Sequence, residues 1–144
     1  MVEIVPFLPA DYDEVMALWS STEGLTLREA DSRGAIERYL ARNPCLSFVA
    51  RDEGQLIGAV LAGTDGRRGY LQHLAVAPSH RGQGLGRALA ERAVEALRAV
   101  GVAKCHLMVR EENAQARAFW EHLGWSERAD VTLMSHADPN AANA

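Results

Sequence analysis

The feature that most constrains this chain is a glycine-rich junction between an apolar run and an amphipathic segment. Residues 70–77 form the apolar run, Pro78 ends it, and Gly82, Gly84 and Gly86 lead into a segment with helical periodicity. This order predicts a β-strand, a tight turn and an α-helix whose first turn is almost bare backbone. Because the first amides of a helix lack partners and carry partial positive charge, such a turn is typical of a phosphate site.

The spacing of the glycines excludes two common phosphate-binding turns. A dinucleotide fingerprint needs G-x-G-x-x-G, but the frame from Gly82 ends on Arg87 and the frame from Gly84 ends on Leu89. The chain also lacks the G-x-x-x-x-G-K-[ST] run of a Walker A loop. Arg81 and Arg87 flank the glycines and add positive charge, so the pattern still favours an anion site, of another type.

Two motifs of the chain resemble those of the GNAT superfamily of N-acetyltransferases. The first is Arg81-x-x-Gly84-x-Gly86 preceded by Leu74-Ala75-Val76-x-Pro78, which is similar to the pyrophosphate-binding motif of that family. The second is Asn113-Ala114-x-Ala116-x-x-Phe119-Trp120-x-x-x-Gly124-Trp125, which is similar to the family's later asparagine, helix and glycine-aromatic segment. The family's order of elements can be laid over about residues 2–135.

Local patterns divide the chain into alternating strands and helices. Asp11 and Glu14 have capping-box spacing, Asn43-Pro44 ends a helix, and residues 52–55 and Asp65-Gly66 mark tight turns. The predicted elements are β1 (2–7), α1 (11–21), α2 (helical spacing over 36–40), β2 (46–51), β3 (56–62), β4 (70–77), α3 (85–100), β5 (104–109), α4 (from the Asn113 cap to 123), β6 (125–128) and β7 (131–134).

The predicted fold class is α/β, more closely an α+β mixed sheet with the order β1-α1-α2-β2-β3-β4-α3-β5-α4-β6-β7. Strands β2 to β4 form an antiparallel meander, whereas β4 and β5, joined through a helix, should be parallel. The resemblance implies that these two strands splay apart around the cofactor. Residues 1–135 are expected to form a single domain, and residues 136–144 a disordered tail.

The resemblance implies acetyl-CoA as co-substrate, without a metal. The backbone of the strand end and of the glycine turn would hold the cofactor, and a backbone amide near Leu74 would stabilise the oxyanion. The residues expected to bind acetyl-CoA are Leu74, Ala75, Val76, Arg81, Gly82, Gln83, Gly84, Leu85, Gly86, Arg87, Asn113, Phe119 and Trp120.

The implied reaction is direct attack of an amine on the acetyl thioester. No G-x-S-x-G elbow argues for a covalent intermediate. The chain departs from the family at two positions: Trp120 stands where many members have a tyrosine, and Met108 where some peptide-acetylating members have a glutamate. The indole N–H of Trp120 has no useful acidity, and the thioether of Met108 has no titratable proton, so neither catalytic role carries over.

The remaining candidates for proton transfer lie on β4 and β5. Alternation along a strand predicts that Tyr70, Gln72 and Leu74 share one face of β4, with His73 on the opposite face in a structural role. On β5 the same argument groups His106, Met108 and Arg110. Gln72, as the holder of a relay water, and the titratable side chains Tyr70 and His106 are the catalytic candidates, each weighed against a packing role.

Composition limits the partners of the chain. The net charge of −4 argues against nucleic acid, and no apolar run is long enough to span a membrane. A cytoplasmic protein with free, buried thiols at Cys45 and Cys105 is expected. The acceptor is predicted to be the amine of a small molecule or a peptide, its identity stays open, and so does a homodimer.

Two rival functions stay open at this point. One is a catalytically silent acyl-CoA-binding sensor, because the usual acid and the glutamate are absent. The other is a generic phosphate or nucleotide binder. The acidic residues Glu23, Glu29 and Asp31, which precede α2, could attract a cationic amine, although an ordinary solvated loop explains them better.

Overall fold

The computed structural model of the protein describes residues 1–144 and contains one mixed sheet. Its strands are β1 (Val2–Pro6), β2 (Phe48–Asp52), β3 (Gln55–Thr64), β4 (Gly69–Val76) and β5 (Cys105–His106), in that spatial order. Neighbours from β1 to β4 pair antiparallel, and β4 pairs with β5 in parallel. The predicted α/β class, with one parallel pair in a mostly antiparallel sheet, is confirmed.

The helices are α1 (Tyr12–Ser20), α2 (Arg33–Arg42), α3 (Leu85–Ala99) and α4 (Ala114–His122), with short 3₁₀ helices at Pro9–Asp11, Glu29–Asp31 and Pro78–His80. The chain divides into two compact units, Met1–Leu107 and Met108–Ala144. The first unit contains the sheet with α1 to α3, and the second contains α4. None of the helices is both long enough and apolar enough to cross a membrane.

Strand β3 lies at the centre of the first unit. Eight of its ten residues are buried, as expected for a strand that contacts both α1 and α3. The buried cluster that α1 and α2 share with the sheet includes Val15, Trp19, Ile36 and Leu40. Burial of such side chains contributes about 1.5–3 kcal/mol each, so this cluster is a main source of stability.

Two glycines allow α3 to pack closely against the sheet. A Cβ atom on Gly58 would lie 2.9 Å from Cδ1 of Leu89, and one on Gly69 would lie 2.9 Å from Cδ1 of Leu97. Contacts this short do not occur between real side chains, so the two positions favour glycine. The close packing fixes α3, and with it the helix N-terminus that follows β4.

The predicted capping box at the start of α1 is wrong. Asp11 makes no side-chain cap to α1. Instead its carboxylate and that of Glu14 accept hydrogen bonds from the guanidinium of Arg51, at 2.7 and 2.9 Å. These bonds tie α1 to β2, and the bonds to the two carboxylates raise the pKa of the Arg51 guanidinium. A capping box would use the same carboxylate oxygens of Asp11 and Glu14 that accept from Arg51, so the arginine competes with the local cap.

The predicted strands β6 and β7 are absent, and β5 is shorter than expected. Residues 125–128 and 131–134 have no regular structure. A strand needs a partner for its backbone groups, and the side chains here are open to solvent: Leu133 is 72% exposed and Met134 87%. The apolar residues of these two segments therefore do not form a buried face. Strand β5 spans only Cys105–His106 rather than 104–109.

The expectation about the cysteines holds in part. Both thiols are free, but Cys45 is exposed and only Cys105 is partly buried. Cys45 follows Asn43-Pro44 in the turn between α2 and β2, with a φ of 63°, and so does not have the buried position expected for it. Burial raises the pKa of the Cys105 thiol, which lowers its reactivity.

Candidate functional site

The glycine turn has the conformation of an open helix N-terminus. Gly82 and Gly84 have φ values of 76° and 79°, a region that disfavours side chains, and Gly84 is the N-cap of α3. The first hydrogen bond into α3 is donated by the amide of Ala88 to the carbonyl of Gly84, at 3.0 Å. The amides of residues 85–87 therefore precede the helical ladder. They form a positively polarised end that suits a phosphate group.

Side chains on both sides of the turn hold it in place. Nε2 of His80 lies 2.7 Å from Oδ2 of Asp52, and Nε of Arg81 donates to the carbonyl of Val76 at 2.9 Å. The hydrogen bond with His80, with a second one from the amino terminus, lowers the pKa of Asp52. Sequence reasoning missed the pair of His80 and Asp52, because 28 positions separate these residues.

Strand β4 has one paired edge and one largely unpaired edge. Its pairing with β3 extends from Gly69 to Val76, whereas its pairing with β5 is limited to Gly69 with Cys105 and Tyr70 with His106. Beyond Tyr70 the β5 side of β4 therefore leaves the ladder. The predicted contacts of Leu74, Ala75 and Val76 lie on this part of the strand, which leads directly into the glycine turn.

A bulge interrupts β4 next to these residues. Leu61 faces Gln72 and Ala59 faces Ala75, so His73 and Leu74 together oppose one residue of β3. His73 has a φ of 54°. This conformation costs a non-glycine residue about 1–3 kcal/mol and persists only where surrounding contacts enforce it.

The bulge overturns the predicted position of His73. The imidazole contacts the ring of Trp19 on α1, with ring centroids 4.8 Å apart. Gln72 lines a cleft with Tyr39 of α2, and α1 and α2 share one buried cluster on one side of the sheet. His73 therefore lies on the same face as Gln72. Strict alternation along β4 fails because the bulge inserts one extra residue.

Asp31 is the partner of His73 and accepts two further hydrogen bonds. Oδ1 of Asp31 lies 2.9 Å from Nε2 of His73, Oδ2 accepts from the amide of Arg28 at 2.9 Å, and the carbonyl accepts from the hydroxyl of Tyr12 at 2.7 Å. Burial alone would raise the pKa of the Asp31 carboxyl, but the bonds from His73 and the Arg28 amide lower it overall. Asp31 is thus a buried carboxylate, and the interpretation of this position as part of a solvated loop is wrong.

Two of the three catalytic candidates line an open cleft of about 220 Å³. Tyr70 and Gln72 form one wall of this cleft, and His106 lies beside Tyr70 with ring centroids 6.0 Å apart. Backbone hydrogen bonds, first from Arg68 and then from Arg67, lower the pKa of Asp65, whose carboxylate also lines the cleft. The other lining residues are Tyr39, Arg42, Asn43, Gly63 and Thr64.

Tyr39 is a functional candidate that sequence reasoning did not single out. It packs against Gly63 at the cleft, and burial raises the pKa of its hydroxyl to about 12. The phenol is therefore neutral at physiological pH, and it is available to a ligand as a hydrogen-bond donor rather than as a base. No group of three or more His, Cys, Asp or Glu side chains is arranged to hold a metal ion.

We expect the Tyr39 hydroxyl to make stability fall at high pH. A pKa raised from about 10 to about 12 favours the neutral form in the folded state. This contribution is complete below about pH 10 and is lost as the pH rises from about 10 to 12. Denaturant unfolding as a function of pH, together with titration of phenolate absorbance, measures this loss of stability. Tyr39→Phe should remove the titration step near pH 12 and flatten the stability profile, and a wild-type protein without that step would contradict the prediction.

The remaining predicted cofactor residues lie in the second unit, on α4. Oδ1 of Asn113 accepts a hydrogen bond from the amide of Ala116 at 3.0 Å, which confirms its prediction as the N-cap. The ring of Trp120 packs edge-on against Phe119 and Trp125, with centroids 5.0 and 5.3 Å away. Gly124 ends the helix with a φ of 95°. The roles of Asn113, Phe119 and Trp120 in cofactor binding stay predictions.

Comparison with known proteins identifies the family. Residues 12–125 match the sequence profile of the Acetyltransferase (GNAT) family. An acetyltransferase of Pectobacterium atrosepticum is 37% identical over 132 residues, which cover 92% of this chain and 93% of that protein.

Solved structures have the same fold. The ribosomal-protein-S18-alanine N-acetyltransferase of Escherichia coli superposes with a TM-score of 0.74 at 27% identity, over 89% of this chain and 79% of that one. Ard1 from Thermoplasma volcanium gives a TM-score of 0.78 at 20% identity, over 89% and 84% of the two chains. Because the family profile matches residues 12–125 and the acetyltransferase of Pectobacterium atrosepticum is 37% identical, this chain belongs to the GNAT acetyltransferase family and is an acyltransferase.

Proposed function

We propose that this protein transfers the acetyl group of acetyl-CoA to a primary amine by direct attack in a ternary complex. The observation that carries the proposal is the continuity of three features. The unpaired edge of β4 leads at one end into the open glycine turn, and near its other end into the cleft lined by Tyr70 and Gln72. A cofactor that lies along this edge would have its pyrophosphate on the amides of residues 85–87 and its thioester near the bulge.

The cleft residues suit an amine acceptor. The carboxylate of Asp65 is charged at neutral pH and supplies attraction for an ammonium group, and the amide of Gln72 supplies a hydrogen-bond partner for a relay water. The hydroxyl of Tyr70 lies 3.5 Å from Oδ2 of Asp65. We assign Tyr70 to the wall of the cleft, where its hydroxyl faces the carboxylate of Asp65, rather than to proton transfer.

We assign the base to the imidazole of His106, because a neutral imidazole has a ring nitrogen that can accept a proton. The ammonium first loses a proton, its nitrogen then attacks the thioester carbon, and the amide of Leu74 donates to the oxyanion. The carbon–sulfur bond breaks, the nitrogen releases its second proton, and the thiolate takes one up. The products are the acetylated amine, free CoA and one released proton. No acid is required at Trp120, because a thiolate is a fair leaving group.

A thiol-release assay over a panel of amines tests the proposal. Acetyl-CoA would be combined separately with a lysine peptide, a peptide with N-terminal alanine, spermidine and an aminoglycoside, and the products would be identified by mass spectrometry. At least one amine should raise thiol release at least about tenfold above the rate without amine, and His106→Gln should lower kcat at neutral pH by about 10²-fold or more. Tyr70→Phe is the matched control and should retain most of kcat. Binding of acetyl-CoA without thiol release on any amine would instead favour the sensor function.

A further inference from the structure

The buried contact between Asp31 and His73 joins two parts of the chain on which the proposed reaction depends. His73 is in the β4 bulge, directly before Leu74, whose amide is the proposed oxyanion donor. Asp31 ends the 3₁₀ helix that precedes α2, and Tyr39 of α2 lines the cleft proposed for the acceptor. The side chain of His73 is 19% exposed and that of Asp31 is 7% exposed. The 2.9 Å contact between them spans 42 positions of the chain.

The protonation of this pair follows from its partners. Both oxygens of Asp31 are used, one by His73 and one by the amide of Arg28, and an ionised carboxylate can only accept. The proton of the contact therefore lies on Nε2 of His73, which donates. The tautomer and the direction of the imidazole are fixed by Asp31, while the ring is held from the side by Trp19.

The backbone at His73 needs this support. A φ of 54° is unfavourable for histidine, and His73 lies within a strand rather than in a turn that would favour this conformation. The contacts that determine this conformation are the hydrogen bond to Asp31 and the packing against Trp19. If the hydrogen bond is lost, the bulge is free to relax, and the amide of Leu74 moves with it.

We propose that Asp31 and His73 are positioning residues for acetyl transfer, which hold the bulge of β4 and the amide of Leu74 in place against the segment before α2. The inference rests on the proposed function for its catalytic consequence. Its structural part, the restraint of the bulge, stands independently. Neither side chain is required to contact the cofactor or the amine.

Four variants test this role. His73→Ala removes the contact, whereas His73→Gln restores a side-chain N–H at a similar reach without a titratable ring. Asp31→Asn keeps an oxygen for the amide of Arg28 but loses the charge that orients His73, and it serves if the alanine variant fails to fold. Arg51→Ala is the matched control, because its ion pairs with Asp11 and Glu14 also tie α1 to the sheet but lie away from the bulge.

Amide hydrogen exchange and steady-state kinetics are the two measurements. In the 71–77 segment, exchange should be at least about tenfold faster in His73→Ala, somewhat faster in Asp31→Asn, and within about twofold of wild type in Arg51→Ala. With the most reactive amine of the panel, kcat should fall about tenfold in His73→Ala with KM for acetyl-CoA within about threefold, and His73→Gln should recover most of it.

The outcomes separate this inference from the proposed function. If wild type releases thiol and His73→Ala matches it in both kcat and exchange, the positioning role is overturned while the function stands. Equal loss of kcat in Arg51→Ala, or no recovery in His73→Gln, would also overturn it, since both indicate general destabilisation. If wild type releases no thiol with any amine, the proposed function fails, and the exchange of the 71–77 segment alone decides whether the pair fixes the bulge.

Discussion

Acetyl-CoA at a hundredfold excess over its dissociation constant is expected to raise the free energy of unfolding by about 2.7 kcal/mol. For a domain of this size this corresponds to an increase of about 5–10 °C in melting temperature. The physical reason is the open N-terminus of α3, where the amides of residues 85–87 precede the helical ladder and Arg81 and Arg87 lie on either side. Thermal unfolding with and without acetyl-CoA measures the shift.

Gly84→Val should remove most of this shift. The added side chain would meet no protein atom within 4 Å, so it would project into the space that a phosphate group needs. The φ of 79° also makes valine unfavourable here, which lowers the basal stability by about 1–3 kcal/mol.

The matched control for this loss of stability is Gly66→Val in the turn between β3 and β4. Gly66 has a φ of 99° and equally open surroundings, but it lies away from the glycine turn. This variant should lose comparable stability and keep the response to acetyl-CoA. A full response in Gly84→Val would mean that the cofactor does not bind at the turn. Equal loss of response in both variants would mean that strain, rather than obstruction, had removed it.

The parts of the fold that could be predicted are those encoded by neighbouring residues. Glu53 and Gly54, with φ values of 50° and 82°, form the tight turn that the sequence indicates between β2 and β3. Gly101, with a φ of 92°, ends α3 as a C′ glycine, with hydrogen bonds from its own amide and from that of Val102. The parallel pair β4 and β5 follows from the helix that connects them. In each case the signal lies within a few positions of the feature.

The parts that could not be predicted depend on contacts between distant residues. Asp11 and Glu14 have the spacing of a local cap, yet Arg51, about 40 positions away, takes their oxygens. The bulge at His73 depends on Asp31 and Trp19, neither of which follows from the pattern of β4. The sequence predicts a strand over 131–134, but no partner strand is present to pair with it. Local propensity sets what a segment can form, and long-range partners decide which option it adopts.

The second large effect is expected at Trp19, the largest side chain of the core with no exposed surface. Its ring packs against Phe7, with centroids 6.1 Å apart, and against His73. Trp19→Ala removes these contacts and leaves a cavity, so the free energy of unfolding should fall by about 3–5 kcal/mol. Urea denaturation with linear extrapolation measures the loss. Trp125→Ala is the control: that ring is only partly buried, packs on Trp120, and should cost less than about 1.5 kcal/mol.

Trp19→Phe distinguishes the two sources of this energy. The indole Nε1 of Trp19 is buried and has no hydrogen-bond partner among the protein groups, and an unpaired buried donor costs about 1–3 kcal/mol relative to solvent. Phenylalanine loses part of the packing but also removes this unpaired donor, so we expect a net loss of only about 1–2 kcal/mol. Its ring can still contact the edge of His73, and the bulge of β4 should therefore keep its restraint. A loss in Trp19→Phe as large as that in Trp19→Ala would show that the indole N–H has a partner whose loss is costly.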